Sequence, residues 1–376
     1  MKRWIALLLA AVLLGLIGCQ DSGSGAGKAP KLWVTYEEAS DSVVNEEGHE
    51  IFAYSYQQPV LGGSSDALHM INTKLGDTTA SFLYGSGGVS EMTEQAKRDW
   101  KEVWFSSYAL HREVRMARLD SQVASFRYSD YVYNGGVHGY TAEYGMSYDM
   151  VSGQQLDFAD LTDNEWGLKE VCRQHITAYL ASDDFPHKDG LMSGYEKYLD
   201  IVLDNWVLTE DGLQFIAQPY IISTYAMGTL RITVPYEKLV HILHKRWLPD
   251  ESGRGGGAVT LGQGNDRSAA AASFVVDGAG EKLMLRVSGT VYDFSVERAG
   301  FYPNGGTTTF FSDKQLLYIP QMEDTAIGLQ IVVPEGIPSA LLRYRDADGE
   351  EQMYLIGYNG RDGGAALTEP ESFMEE

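Results

Sequence analysis

Two cysteines in 376 residues exclude a disulfide framework. Basic residues are scarce as well: 29 Lys and Arg against 52 Asp and Glu give a formal charge of −23. Such a surface disfavours nucleic acid and anionic wall polymers, and it attracts cationic partners at low salt. No apolar run is long enough to cross a bilayer as a mature helix. Also absent are the HExxH, GxSxG and P-loop patterns. The eight histidines (His49, His69, His111, His138, His175, His187, His241 and His244) are scattered, whereas a zinc site needs three or four converging ligands. Neither metal, cofactor nor catalytic residue is therefore expected.

The N-terminus carries the clearest signal that is present. Met1-Lys2-Arg3 is a short basic start, and Trp4 to Ile17 is an apolar run of fourteen residues, the length of a signal-peptide core. It ends in Leu16-Ile17-Gly18-Cys19, which resembles the lipobox of bacterial lipoproteins. That resemblance implies cleavage after residue 18 and a diacylglycerol on Cys19, hence an extracytoplasmic, membrane-anchored protein. Losing Lys2 and Arg3 would take the mature charge to about −25. Residues 19–30 are rich in Ser and Gly and read as a flexible tether. The remaining cysteine, Cys172, lies on an apolar helical stripe with Leu168, Val171, His175, Ile176 and Tyr179 and reads as a small buried hydrophobe. Thr162 and Glu165 offer a capping box at the start of that helix.

Beyond the tether, alternating patterns predict strands at 32–36, 50–56, 113–120, 122–133 and 140–150, with helices around 68–82 and over 91–108. The tyrosine-rich strands suggest an antiparallel meander. A hairpin is expected between 212–217 and 229–234, then a helix over 236–248 through Leu239, Val240, Leu243 and Trp247. Residues 249–272 are Gly- and Ala-rich and read as a linker. Short alternating runs over 273–360, punctuated by Pro303-Asn-Gly-Gly and Asp346-Ala-Asp-Gly, predict a small β-sandwich, followed by a polar tail over 361–376. The expected class is α+β: an antiparallel sheet packed with helices, then a small all-β sandwich-like domain.

Two separated motifs carry a family resemblance. Asn134-Gly-Gly-Val-His-Gly-Tyr, with Tyr148-Asp-Met-Val-Ser-Gly-Gln-Gln-Leu156 and Phe158-Ala-Asp-Leu161, resembles the extracytoplasmic module of RsiV-type anti-sigma factors. The same module is similar to the non-catalytic N-terminal region of PdaC-type peptidoglycan deacetylases. Gln218-Pro-Tyr-Ile-Ile-Ser-Thr-Tyr-Ala-Met-Gly228 and Ile232-Thr-Val-Pro-Tyr-Glu-Lys-Leu239 resemble its closing segment. The resemblance implies a module with a PdaC-like half over 31–145 and an RsiV-type half over 146–248. Its structural motif residues would be Gly135, Gly136, His138, Gly139, Pro219, Tyr220, Tyr225, Gly228, Pro235 and Tyr236. It also implies lysozyme as a candidate ligand, and a strongly anionic chain suits that or another cationic protein. Only three residues precede the apolar core, so a cytoplasmic sigma-binding arm is not expected, nor is a deacetylase domain.

His138 could be a ligand or general base, but beside a Gly135-Gly136 turn its imidazole is expected to bond turn backbone. Asp346 to Glu350 has alternate carboxylates yet lies between two strand patterns, so it reads as a hairpin turn rather than a calcium loop. The leading expectation is a lipid-anchored, non-enzymatic envelope recognition protein. The alternative is a peptidoglycan- or glycan-binding accessory lipoprotein whose tyrosines stack on sugars, and an envelope hydrolase using His138 ranks third.

Overall fold

The computed structural model describes residues 27–249, 257–262, 270–276, 280–304, 307–334, 337–346, 349–358, 365–370 and 372–374. The leader, Cys19 and most of the tether lie outside the described residues. Strands β1 (Trp33–Val44) and β2 (Glu50–Gly62) pair antiparallel. Helix α1 (Asp66–Tyr84) starts at Ser65, whose Oγ accepts from the Leu68 amide, and buries Leu68, Ile71, Leu75 and Phe82 along one face. With α2 (Val89–Asp99) it carries the chain over the sheet, so that β3 (Tyr108–Leu119) pairs parallel to β2. Strands β4 (Val123–Tyr133) and β5 (Tyr140–Asp149) complete the expected meander.

The next region builds a second core. Helices α3 (Glu165–Ala181) and α4 (Leu199–Leu203) pack on a three-stranded sheet of β6 (Trp206–Leu208), β7 (Gly212–Ala217) and β8 (Leu230–Pro235). Leu168, Cys172, Ile176, Phe215 and Val234 meet in its interior. A one-turn α5 (Tyr236–Leu239) follows.

The C-terminal region is a sandwich, as its alternation predicts. One sheet holds β9 (Ala258–Leu261), β10 (Ala272–Val275), β11 (Glu281–Ser288) and β14 (Ala326–Ile331). Facing it are β12 (Thr290–Asn304), β13 (Thr307–Glu323), β15 (Ala340–Arg345) and β16 (Glu351–Tyr358), flanked by β17 (Ala365–Thr368). Leu285, Phe294, Ile319, Leu329 and Leu342 fill the space between. The sandwich is not a separate bead, however. Strand β13 pairs with β1, Val34 opposite Tyr318, so one sheet runs β17-β16-β15-β12-β13-β1-β2-β3-β4-β5 through both regions. The stretch expected as linker supplies β9, and β10 begins at its last residue.

Three local expectations are corrected. Helix α2 stops at Asp99 instead of reaching Tyr108, and Val103 and Trp104 stand 86% and 94% exposed. The Tyr108 hydroxyl donates to Asp99 Oδ2 at 2.9 Å and Phe105 packs on the Tyr108 ring, turning the chain back into β3. Helix α5 ends at Leu239: Ile242 N and Leu243 N share Leu239 O, while His244 N donates to Leu161 O and Trp247 Nε1 to Asp160 O. His241 and His244 are therefore not neighbours on one helix. The cap of α3 is Asn164, whose side chain accepts from Gly167 N at 3.0 Å, while the Thr162 hydroxyl donates to Ile242 O.

Candidate functional site

The β4–β5 connection is built by glycine. Gly135 and Gly136 have φ of +98° and +102°, a region other residues enter only at a cost, and the Tyr133 hydroxyl donates to Gly136 O at 3.1 Å. At Gly139 a Cβ would stand 2.4 Å from the Tyr131 ring, so the bare backbone lets that ring lie against the turn. His138 is exposed, and its Nδ1 donates to Gly139 O at 2.9 Å. That bond places the proton on Nδ1 and leaves Nε2 an acceptor.

The second motif arrives at the same place. The Tyr225 hydroxyl donates to Gly139 O at 2.8 Å, and its ring stacks on His138 with centroids 4.1 Å apart at 27°. Tyr220 stacks against Tyr225 in turn, at 5.7 Å and 26°. The three rings form a column with Tyr225 in the middle. Tyr220 is 56% exposed and has φ of +70°, a left-handed conformation that is unfavourable for a bulky residue. Its amide donates to Ser223 O at 2.9 Å. Gln218 clamps the segment to β5: its Oε1 accepts from Glu143 N at 3.0 Å and its Nε2 donates to Glu143 O. The buried Glu143 carboxylate accepts both Nε and Nη2 of Arg231 at 2.8 Å. Pro219 is buried beneath, and Gly228, with φ of +66°, ends the turn that carries Tyr225.

Pro235 and Tyr236 do not join this site. Pro235 ends β8, and the Tyr236 hydroxyl accepts from Arg118 Nη1 at 2.7 Å while donating to Thr209 O at 2.8 Å. Arg118 is fully buried and is held by Asp120 at 2.6 Å. Nearby, Asp293 stands at a bulge of β12 with φ of +51°, accepts from the Tyr318 hydroxyl at 2.7 Å and lies 3.5 Å from Arg345, which also pairs with Asp211. Burial first, then the charge of Asp293, pushes the Glu210 carboxyl up to about 8, and burial raises Asp293 too. Sequence reasoning missed this cluster because its members come from the separated turns and strands at 118, 210 and 293.

Cys172 is fully buried and burial pushes its thiol up to about 12, which leaves it unreactive at neutral pH. Asp346 and Glu350 close the β15–β16 turn through Asp346 N to Glu350 O and Glu350 N to Asp346 Oδ1. Among the described residues, no group of three or more His, Cys, Asp or Glu is arranged to hold a metal ion.

With this geometry in place, comparison with known proteins identifies one domain. Residues 159–237 match the model of a family described as a protein of unknown function, DUF3298. The match includes Tyr220, Tyr225 and Gly228 and leaves the His138 turn outside. Several solved chains are similar, and two of them are members of that family. A DUF3298 family member from Bacteroides fragilis is 18% identical, covering 58% of this chain and 96% of its own, with a TM-score of 0.44. A DUF3298 family protein from Pseudomonas aeruginosa is 12% identical, covering 60% of this chain and all of its own, with a TM-score of 0.42. No curated protein matches the chain.

Proposed function

We propose that this chain is a lipid-anchored, non-enzymatic recognition protein of the bacterial cell envelope, with an RsiV-like module as its recognition part. One observation carries the choice of recognition over catalysis. The two motif segments meet in a stacked column whose one imidazole spends its N–H on Gly139 O and its ring face on Tyr225. Such an arrangement presents surface and holds no activated nucleophile beside a base. The leader and Cys19 supply the anchor. The charge of −23 makes a strongly cationic protein the first ligand to try, lysozyme being the concrete candidate.

The test has two arms on the full chain. Cys19→Ser should move the protein out of the membrane fraction, and retention there would sink the lipid anchor. Lysozyme should bind saturably at moderate salt and more weakly as salt rises; a signal that never saturates removes it as ligand. The stacked rings favour glycan as the other ligand class, with the chain serving wall enzymes as an accessory lipoprotein.

A further inference from the structure

The two chain segments that build the column bring no charge to it. Charged residues make up 22% of the chain, yet residues 131–142 and 217–230 contain no Asp, Glu, Lys or Arg. Both segments converge on the ring column, so the backbone that carries the rings adds no charged side chain of its own beside them. We propose that the His138, Tyr225 and Tyr220 column is a docking platform for a neutral pyranose of an envelope glycan, with Tyr220 as the ring the sugar covers. This rests on the reading of the chain as an envelope-facing recognition protein and gives its glycan alternative a site.

The argument is geometric. A pyranose offers a flat C–H face to an aromatic ring and hydroxyls around its rim, so its site needs an open ring and uncharged hydrogen-bonding groups. Tyr220 supplies the ring: one side is backed by Tyr225 and the residue is 56% exposed. Its left-handed backbone is held by Ser223 and by the Gln218 clamp on Glu143, so the ring is fixed before any ligand arrives. His138 Nε2 is left as an acceptor for a hydroxyl or an N-acetyl N–H, and the Tyr220 hydroxyl bonds no other described residue. The Glu143 carboxylate, on the residue that Gln218 clamps, is engaged by Arg231. Tyr131, stacked on His111 at 6.0 Å and lying on Gly139, continues the aromatic surface beyond His138.

Competing ligands fit this surface less well. A cationic protein finds no carboxylate in either segment. A proline-rich peptide also docks on aromatic rings, but it has few N–H groups to give the Nε2 acceptor.

The full chain in detergent, titrated calorimetrically with the β-1,4-linked N-acetylglucosamine pentasaccharide, tests the platform. Saturable binding is expected, with at least about a tenfold loss of affinity in Tyr220→Ala and retention in Tyr220→Trp. Tyr220→Gly guards against misfolding, since glycine accepts the left-handed backbone. It should melt close to the wild type and still lose the sugar. No saturable binding, equal binding by Tyr220→Ala, or uptake of a polyproline peptide in place of the sugar would overturn the platform. Membrane attachment through Cys19, measured on the same preparations, keeps the two ideas apart. Attached protein that takes no sugar sinks the platform alone, and unattached protein that takes sugar sinks the anchor alone.

Discussion

His138 shows how a residue type suggestive of chemistry can be occupied with structure. Its Nδ1 and the Tyr225 hydroxyl share one acceptor, Gly139 O, so the two motifs are tied at a single carbonyl. His138→Ala removes one of those bonds and the 4.1 Å stack, leaving the Tyr225 bond in place. The expected loss is about 1 kcal/mol, seen as a lower melting temperature. An unchanged melt would count against the bracing role. Tyr220 should behave in the opposite way. Replacing it by glycine loses the 5.7 Å stack but relieves a φ of +70°, two effects of similar size. Tyr220→Gly is therefore expected to stay within about 1 kcal/mol of the wild type in chemical denaturation. A much larger loss would assign Tyr220 to the core instead of the surface.

Between elements, a glycine and a half-buried carboxyl set how the small sheet docks. Gly145 on β5 lies under β6, where a Cβ would stand 2.2 Å from Trp206 O, a backbone atom that cannot swing aside. Gly145→Ala is expected to cost about 2 kcal/mol or more and to expose the β6 edge to hydrogen exchange. The turn after β6 holds Glu210, facing Arg118, Asp120 and the Leu119 amide on one side and Asp293 on the other, with Tyr318, Arg345, Asp211 and Glu351 around Asp293. Its folded-state value of about 8 lies above the ordinary value of 4.5, so the folded protein holds this proton more tightly than the unfolded chain. The stability contributed is full below about pH 4.5 and is lost as pH rises through about 8. Thermal melts from pH 5 to 9 should therefore fall more steeply in the wild type than in Glu210→Gln, and parallel curves would exclude this group. The sequence showed the strands at this scale because alternation is a local signal: 122–133 and 140–150 match β4 and β5 within a residue or two. Helix ends were less legible, since α2 and α5 stop where distant partners, the Tyr108 hydroxyl and Leu161 O, take over groups that local periodicity assigns to a helix. The motif residues could be singled out from the sequence, but not that Tyr220 and Tyr225 would reach the His138 turn while Tyr236 would not.

Across the whole molecule, the Gly- and Ala-rich stretch at 249–272 marks a boundary in the chain that the main sheet does not respect. Pairing of β1 with β13 joins residues 34 and 318, and no local pattern announces such a contact. The seam is more than a strand edge. Arg115 donates to Ser312 Oγ at 2.8 Å and Asp313 O at 2.8 Å, Met116 N donates to Gln315 Oε1 at 2.9 Å, and Gln57 Nε2 donates to Gln315 O at 3.1 Å. Tyr318 itself lies in the same apolar core as Val34, Leu75, Val114 and Phe126. A chain ending at Pro249 would keep every motif of the recognition module, yet it would strip β1 of its outer partner and remove these acceptors from Arg115, Met116 and Gln57, of which Gln57 keeps its bond to Glu38. Each hydrogen bond lost costs about 0.5–1.5 kcal/mol, and a bare apolar strand edge invites pairing with another copy. The truncated chain is expected to melt well below the full chain and to self-associate in sedimentation. Equal melting and a monomeric truncation would mean that the module folds independently of the sandwich. The Glu210 to Asp293 contact would then be a junction between two self-sufficient parts, and the truncated chain, lacking Asp293, should lose less stability than the full chain as pH rises from about 5 to about 9.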